Sequence, residues 1–420
     1  MRRTERAGTS VAPRPTEPKA DARRDAAALR IALLTGADDR SYALGLASSL
    51  LARGIHLDFI GSDQVDGPEL HGTPLVNFLN LRGDQSSDAG LASKMLRLLR
   101  YYLRLIGYAA TSRATVLHIL WNNKFLHFDR TLLMMYYRAL GHRVVLTAHN
   151  VNAARRDGHD SWLNRLTLRV QYRLCSHIFV HTTRMRDELR ADFDVPADRV
   201  SVIPFGINNT SPVTPIEGRD ARRRLGLGAA ERVLLFFGQI APYKGLEHLV
   251  AALPRAFAED PSLTLVIAGK VKSGCEDYWQ AIERDLSEPA LAPRVRKRIE
   301  HIPDSDVELY FKAADVLVIP YVHIFQSGVP FLAYSFGLPV IATDVGALRE
   351  DILEGRTGLM CRPQDAADIA RAIKQYFGSA LYGDLERSRQ DIREIANERH
   401  SWAKVAAISE SVYRRVGVPR

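Results

Sequence analysis

The feature of this 420-residue sequence that most constrains its fold is a series of short apolar runs that alternate with helical stretches. One series includes RIALLT (Arg30 to Thr35), HIFVHT (His177 to Thr182) and VSVIPFG (Val200 to Gly206), and a second begins with RVLLFFG (Arg232 to Gly238). Such alternation is typical of parallel sheets with helices on both faces. The proline-containing stretch INNTSPVTPIEGRDA between the two series is typical of an interdomain connection. We therefore predict an α/β chain with two doubly wound domains facing a cleft.

The predicted boundaries place the first domain at 29–210 and the second at 211–385. Residues 1–28 are rich in Arg, Pro and Ala and lack the apolar core of a secretory signal, so we predict a disordered tail there. No apolar run reaches the roughly 18 residues that a membrane span requires. The three cysteines have no pair spacing, which fits a reducing cytosol and gives no zinc motif. We expect a cytoplasmic protein.

The net charge of +9 favours anionic partners. No nucleic-acid-binding module is recognisable, so nucleotide sugars and acidic lipid rank ahead of nucleic acid. The segment SKMLRLLRYYLRLIGY places its basic and its leucine-rich positions on different sides of a helix. The basic positions are Lys94, Arg97, Arg100 and Arg104. Such a helix can lie on the inner face of an anionic membrane, or it can be an ordinary domain helix with solvated charges.

The stretch from Ala314 to Glu354 reads as two buried strands, VLVIPY and PVIAT, on either side of a short buried helix. Ser327 and Gly328 precede its first turn, and Pro330 is tolerated there because a first-turn N–H has no helical partner. Free backbone N–H groups and a positive dipole end would meet at this point, which favours an anion such as phosphate. The alternative is an ordinary strand–helix–strand unit that binds nothing.

This stretch resembles the donor-binding region of group 1, family 4 glycosyltransferases, and the flanking segments FFGQIAPYKGLEHLVAAL and EGRTGLMCRPQDAADIARAI agree. The likeness extends from about Arg30 to the C-terminus. It implies a GT-B fold of two Rossmann-like domains, with terminal helices at 386–420 that cross back to the first domain. The chain departs from the common E-x7-E pattern of the family, because Ile324 and Leu332 stand where glutamates are usual. Between these two positions the chain has the sequence QSG, at residues 326–328.

The resemblance assigns Lys244 to the donor site. A lysine at a strand-to-helix turn can neutralise a leaving diphosphate, although an isolated lysine is more often a solvated surface residue. The family usually has an arginine after the first glycine of this segment, and here Gln239 follows Gly238. The donor contacts implied are Gly238, Gln239, Lys244, Gln326, Ser327, Gly328, Val329 and Glu350.

In the first domain, the resemblance places His149, at the end of the strand RVVLTAH, near the transferred sugar as a catalytic residue together with Lys244. A histidine at a strand end is otherwise more often a satisfied structural residue. The acceptor-side candidates are Gly36, Asp39 and Asn150.

The resemblance implies retaining transfer of a hexose from a nucleotide sugar to an acceptor hydroxyl, on a cell-surface glycan or a lipid-linked sugar. It implies no cofactor and no bound metal, and the sequence shows no metal-ligand spacing. Two alternatives stay open: a nucleotide-sugar epimerase, which shares the GT-B architecture, and a non-catalytic nucleotide-binding scaffold. Gln239, Ile324 and Leu332 favour the scaffold because they stand where the family usually has charged groups.

Overall fold

The computed structural model describes residues 29–36, 40–85, 90–156, 158–207, 214–324 and 326–417, with only the backbone of Leu91 and Arg156. The predicted disordered tail at 1–28 lies outside the described residues. Within the described ranges, every helix is too short or too polar to cross a bilayer.

The first sheet has seven parallel strands in the order β3-β2-β1-β4-β5-β6-β7. Leu33 in the central strand β1 lies opposite Phe59 of β2 on one side and His118 of β4 on the other. The strands are β1 Arg30–Leu34, β2 His56–Gly61, β3 Val76–Asn80, β4 Val116–Ile119, β5 Arg143–Thr147, β6 His177–Val180 and β7 Val200–Val202.

The second sheet has six parallel strands in the order β10-β9-β8-β11-β12-β13. Its central strands are buried on both faces, as expected for runs of β-branched and aliphatic residues such as VLVI and VIAT. The strands are β8 Arg232–Phe237, β9 Leu263–Ala268, β10 Val295–Arg298, β11 Val316–Ile319, β12 Val340–Thr343 and β13 Gly358–Cys361.

Helices cover both faces of each sheet. Several of them begin at a residue whose side chain accepts a hydrogen bond from a backbone N–H group in the first turn. Ser161, Thr182 and Asp365 cap helices in this way. The helices of the first half are α1 Arg40–Leu51, α2 Leu91–Thr111, α3 Leu126–Phe128, α4 Met134–Ala139, α5 Ala153–Arg156, α6 Trp162–Leu174 and α7 Thr183–Phe193, with a π-helical turn, Asp129–Leu133, joining α3 to α4. Those of the second half are α8 Gly218–Arg224, α9 Leu246–Glu259, α10 Glu276–Leu286, α11 Asp304–Ala313, α12 Val329–Ser335, α13 Leu348–Asp351, α14 Ala366–Phe377, α15 Ala380–Gly383, α16 Leu385–Arg399 and α17 Trp402–Gly417.

Each sheet separates two apolar cores because successive side chains of a strand point to opposite faces. In β1, Ala32 and Leu34 join the core beneath α2, α4 and α6, whereas Ile31 and Leu33 join the core beneath α1 and α17. The chain thus returns at its end to the first sheet, where Tyr413 of α17 is bonded to the buried His118 of β4 at 2.6 Å.

Helix α16 packs on the second sheet through a buried cation, Arg389. Its guanidinium donates to the carbonyl oxygens of Phe311 and Ala314 at the end of α11, and of Phe336 at the end of α12. The last carbonyls of a helix have no partner within it, and a positive charge there complements the helix dipole. Arg389 therefore ties together the carboxyl-terminal ends of two helices, one of which, α12, begins at the cleft.

We expect Arg389→Met to lower the free energy of unfolding of the second domain by about 3 kcal/mol, because it leaves buried carbonyl groups unpaired. Urea unfolding followed by circular dichroism measures this change. Arg393→Met, in the same helix but exposed, is the matched control and should stay within about 0.5 kcal/mol of the wild type. Equal effects of the two substitutions would contradict the role given to Arg389.

Candidate functional site

The topology of each sheet fixes where a ligand can enter. In an open parallel sheet the crevice lies at the carboxyl ends of the strands where the strand order reverses. In the first sheet this point falls between β1 and β4, and in the second between β8 and β11. The loops that follow these four strands contain most of the predicted site residues, because Gly36 follows β1 and both Gly238 and Lys244 follow β8.

The turn that holds Lys244 packs closely on the end of β11. Residues Pro242–Lys244 form a single 3₁₀ turn, and Gly245 follows in the left-handed conformation with φ of 65°. A Cβ atom at Gly245 would lie 2.1 Å from the carbonyl oxygen of Pro320. Glycine is therefore required at this position. It lets the turn pack so that Lys244 lies at the carboxyl ends of β8 and β11.

Lys244 is a buried cation set against an aromatic ring. Its Nζ donates to the hydroxyl of Tyr321 at 2.6 Å and lies 4.0 Å from the centre of that ring. Burial raises the pKa of Tyr321, which keeps this phenol neutral. A phenol and a ring face orient an ammonium group without themselves carrying a full charge. A cation buried at this point attracts an anionic ligand more strongly than one in bulk water, since charges interact more strongly away from the solvent.

The QSG segment borders the same point, and one of the N–H groups at its helix start is bonded within the chain. The Ser327 hydroxyl accepts from the backbone N–H of Val329 at 3.3 Å and lies 3.4 Å from the Tyr321 hydroxyl. The first helical N–H group is thus already bonded within the chain. Gly328 lies close to the ring of Phe205, and a Cβ atom there would meet that ring at 3.7 Å.

Gln326 has one buried acceptor atom that the described residues leave unpaired. Its Nε2 donates to the carboxylate of Asp351 at 2.9 Å, and its Oε1 is buried with no bonding partner among the described residues. Burial raises the pKa of Asp351 to about 7, and the bond from Gln326 partly offsets this rise. The amide is therefore held in one orientation, with an oxygen left to accept a hydrogen bond.

In the first domain, the loops after β1 and β4 touch at Gly36. This glycine has φ of 66°, and a Cβ atom on it would lie 2.5 Å from that of Trp121. Arg82 donates both to the Gly36 carbonyl and to the Asn123 side chain, which fastens the two loops together. Asp39 lies outside the described residues.

His149 is half-buried and is paired with the buried His181. Its Nδ1 is 3.1 Å from Nε2 of His181, whose own Nδ1 is 3.4 Å from the Ile203 carbonyl oxygen. Burial lowers the pKa of both rings, to about 4 for His181 and well below the ordinary value for His149. A carbonyl only accepts, so neutral His181 donates from Nδ1 and accepts at Nε2, and His149 must donate from Nδ1.

This chain of bonds leaves Nε2 of His149 as an acceptor. That atom is buried and has no bonding partner among the described residues. The ring is held flat against Trp121, with ring centres 4.4 Å apart, and edge-on to Tyr42 at 4.7 Å. His149 is thus arranged to accept a hydrogen bond from a hydroxyl group. It is not arranged to carry a positive charge.

Between the two sheets lies a cavity of about 330 Å³. It brings together five of the predicted donor residues with groups from the first domain and from the start of α17. Its lining comprises Ser41, Tyr42, Phe205, Gly206, Tyr243, Lys244, Ile324, Gln326, Ser327, Gly328, Val329, Leu332 and Trp402. His149 is not part of this lining. Its ring packs against Tyr42, which does line the cavity.

The remaining predicted residues lie apart from this lining. Gln239 is exposed, beside Gly238. The carboxylate of Glu350 accepts from the Thr183 hydroxyl across the cleft at 3.3 Å. The Oδ1 atom of Asn150, next to His149, is buried without a bonding partner in the described part of the chain. Within the described ranges, no three His, Cys, Asp or Glu side chains are grouped so that they could hold a metal ion.

Sequence reasoning missed several residues of the site, among them Tyr42, His181, Tyr321 and Trp402. Two of them carried a signal, since His181 and Tyr321 directly follow the apolar runs of β6 and β11. The rule that placed His149 at the cleft applies to both equally. Tyr42 and Trp402 lie within helices and carried no such signal.

Two doubly wound parallel sheets that share a cleft define the GT-B class, so the predicted fold class is confirmed. The structure matches sucrose-phosphate synthase from Thermosynechococcus elongatus with a TM-score of 0.71 and 21% identity, covering 92% of this chain and 99% of that one. It matches Anabaena HepE in complex with UDP and glucose with a TM-score of 0.69 and 17% identity, covering 92% and 100% of the two chains.

Family models match both halves of the chain: Glycosyltransferase Family 4 over residues 40–210, and Glycosyl transferases group 1 over residues 231–378. The chain belongs to the group 1, family 4 glycosyltransferases, as its resemblance predicted. It is 30% identical over 298 residues to the alpha-maltose-1-phosphate synthase of Mycolicibacterium smegmatis, covering 65% of this chain and 73% of that protein.

A second relative is the D-inositol 3-phosphate glycosyltransferase of Nocardia farcinica, which is 33% identical over 214 residues. This match covers 50% of the present chain and 46% of the relative. The chain thus spans about half the length of several curated relatives that it matches.

The buried histidines predict how stability depends on pH. The pKa of His181 is about 4 in the folded chain against an ordinary 6.5, so the unfolded chain binds more protons between these values. Its contribution to stability is complete above pH 6.5 and is lost as the pH falls towards 4. We expect His181→Gln to reduce the loss of unfolding free energy between pH 7 and pH 4.5, by about 2 kcal/mol.

Urea titrations at the two pH values measure this difference. His159→Gln, which replaces an exposed histidine, should leave the pH dependence as it is in the wild type. If His181→Gln and the wild type lost stability in parallel, another group would be responsible.

Proposed function

We propose that this protein is a retaining hexosyltransferase that takes its sugar from a nucleotide-sugar donor held by the second domain. The observation that carries the proposal is the buried Lys244 ammonium, oriented by Tyr321 in a cavity between the two sheets. A nucleotide sugar bears a diphosphate whose negative charge increases as the sugar leaves. A fixed cation at that position stabilises the leaving group.

The reaction would break the bond between the anomeric carbon and the diphosphate oxygen and form a bond from that carbon to the acceptor oxygen. The acceptor hydroxyl proton passes to the departing diphosphate, so no protein nucleophile and no metal is required. Lys244 and Ser327 would face the diphosphate, and Gln326 would accept from a ligand hydroxyl through its unpaired Oε1. Closure of the cleft would exclude water and limit hydrolysis.

His149 would accept a hydrogen bond from a sugar hydroxyl at Nε2. This role is supported by the pairing with His181, which leaves that nitrogen unprotonated. A neutral acceptor suits a ring of hydroxyl groups next to an electron-deficient anomeric centre, because an imidazolium there would oppose the positive charge that develops.

The acceptor is proposed to be a growing glycan or a lipid-linked sugar, in the synthesis of cell-surface polysaccharide or glycolipid. The basic face of α2 supports this, since a lipid-linked acceptor would be met at an anionic membrane surface, on its inner side. Solved structures of the same fold bound to UDP and UDP-glucose are consistent with a nucleotide-sugar donor.

The first test is calorimetric titration of UDP, GDP and ADP into the wild type and Lys244→Ala. We expect one nucleotide to bind, and its affinity to fall about 100-fold in the variant because a buried charge-assisted contact is lost. Lys374→Ala, which removes an exposed lysine paired with Glu259, is the matched control and should bind as the wild type does.

Absence of binding by all three nucleotides would overturn the transferase assignment. Binding without turnover on any donor and acceptor would instead favour a scaffold. Release of an altered nucleotide sugar without an acceptor would favour an epimerase.

For His149→Ala, we expect kcat/KM to fall by about 10- to 100-fold, since one transition-state hydrogen bond is removed. The dissociation constant for the free nucleotide should change less than about threefold, because His149 lies in the first domain, whereas the proposed diphosphate contacts Lys244 and Ser327 lie in the second. Steady-state kinetics and calorimetry on the same preparation separate the two effects. A variant that lost nucleotide binding and kept kcat would show that His149 serves the donor site.

A further inference from the structure

One layer of helices in the first domain leaves large apolar side chains in contact with solvent. Helices α2, α4 and α6 bury Tyr101, Leu105, Tyr137 and Tyr172 against the first sheet. Their opposite sides are apolar as well. We call this surface the outer helical face; its apolar members are Met95, Leu96, Leu99, Leu103, Phe125, Leu126, Leu132, Met135, Leu140, Trp162, Leu163 and Leu166.

The concentration of these side chains in one place is the first argument. Every large apolar side chain recorded as exposed in the described ranges belongs to this face. Trp162 is 75% exposed, and Leu103 and Leu132 are each 62% exposed. Single exposed leucines are ordinary, but twelve exposed large apolar side chains confined to one helical layer indicate an interaction site.

The arrangement within each helix is the second argument. In α2, Met95, Leu96, Leu99 and Leu103 fall within an arc of about 100° at helical spacing. Arg100 and Arg104 lie along one border of this arc, and both are exposed. An apolar stripe bordered by arginine is the pattern of a helix that lies in a membrane interface.

Charge is the third argument. Residues 91–174, which include α2 to α6, contain fourteen Lys or Arg and three Asp or Glu, a net charge of +11 against +9 for the whole chain. Of the acidic side chains, Asp129 is buried and Asp160 is paired with Arg165. The positive charge of the protein is therefore concentrated in the part of the chain that forms the outer helical face.

The position of the apolar groups relative to the cleft is the fourth argument. Helices that follow strands of a parallel sheet begin at its carboxyl edge, where the crevice lies. Trp162 and Leu163 are in the first turn of α6, and Phe125 and Leu126 stand where α3 begins after β4. Part of the apolar surface therefore borders the mouth of the cleft.

We propose that the outer helical face docks on the surface of an anionic lipid bilayer. Its leucine, methionine and tryptophan side chains enter the interface while the arginines meet the lipid phosphates. A second copy of the chain is disfavoured as occupant, because a two-fold interface would place this positive charge against itself. Nucleic acid would meet the basic side chains but leave the aliphatic stripe uncovered.

Docking in this orientation sets the cleft beside the lipid head groups. If the proposed transferase function holds, a lipid-linked acceptor would reach the anomeric carbon without leaving the membrane. The docking itself does not depend on that function, since it rests on the outer helical face alone.

The test is co-sedimentation of the full chain with vesicles of phosphatidylcholine alone and of phosphatidylcholine with about 30% phosphatidylglycerol, a content that makes the surface anionic. We expect binding to the anionic vesicles only. Leu99→Gln with Leu103→Gln should lower the partition coefficient at least about tenfold, because two leucines no longer enter the interface. Arg100→Gln with Arg104→Gln should lower it about fivefold or more.

The matched control is Arg219→Gln with Arg223→Gln, which removes two exposed arginines from α8 in the second domain and should bind vesicles as the wild type does. Thermal melting confirms that each variant is folded. Quenching of Trp162 fluorescence by brominated lipid, lost in Trp162→Phe, reports insertion directly.

Equal binding by the wild type and the outer-face variants, or no binding to anionic vesicles, would overturn the proposal. So would a wild-type dimer in sedimentation velocity that the Leu99→Gln, Leu103→Gln variant converts to monomer, since the face would then join two copies. Nucleotide calorimetry on the same variants should match the wild type, so a failure of the proposed transferase function is recognised separately.

Discussion

The packing of Trp402 on the first domain, at the edge of the cavity, is the interaction on which the shape of the cleft depends. Its indole ring lies against Gly45 and Gly206, where an added Cβ atom would approach it to 2.2 and 2.4 Å, respectively. Only glycine leaves room for the ring at these positions. Beside it, Phe205 of the first domain stacks on Phe331 of the second with ring centres 5.1 Å apart. The cavity is bounded by this aromatic contact, so the returning C-terminal segment is part of the site as well as of the fold.

The two sides of the cleft differ in the kind of polar side chain that each presents: a lysine in the second domain and two neutral histidines in the first. In the second domain, the side chain of Lys244 is buried against a neutral phenol, to which its Nζ donates. In the first domain, burial makes His149 and His181 neutral, and their mutual bond selects a tautomer. A ligand with an anionic part and an uncharged hydroxyl-bearing part matches this division. That match is the reason for proposing a nucleotide sugar, rather than an acidic peptide or a free phosphate, as the ligand of the cavity.

The sequence was sufficient for the fold class because apolar runs, which mark buried strands, are a local property. The proposed role of Lys244 came from the family resemblance and not from an apolar run, because this residue lies seven positions beyond the end of β8. Strand β10 was missed because its sequence, VRKR, belongs to an edge strand with basic side chains and lacks an apolar run. Trp402 could not be found in this way. Its role depends on the packing of α17 against α1, a contact between the two ends of the chain.

The depth at which each group of charges lies determines how salt acts on it. Lys244 is buried, so dissolved ions screen its attraction for a diphosphate only weakly. Arg100 and Arg104 are exposed, and attraction between such side chains and lipid phosphates fades over about 10 Å at 0.1 M salt. Raising the ionic strength should therefore release the outer helical face from a bilayer while the cavity keeps its nucleotide. The proposed donor binding and the proposed membrane docking are thus separable by ionic strength, because the same fold places Lys244 inside and the two arginines outside.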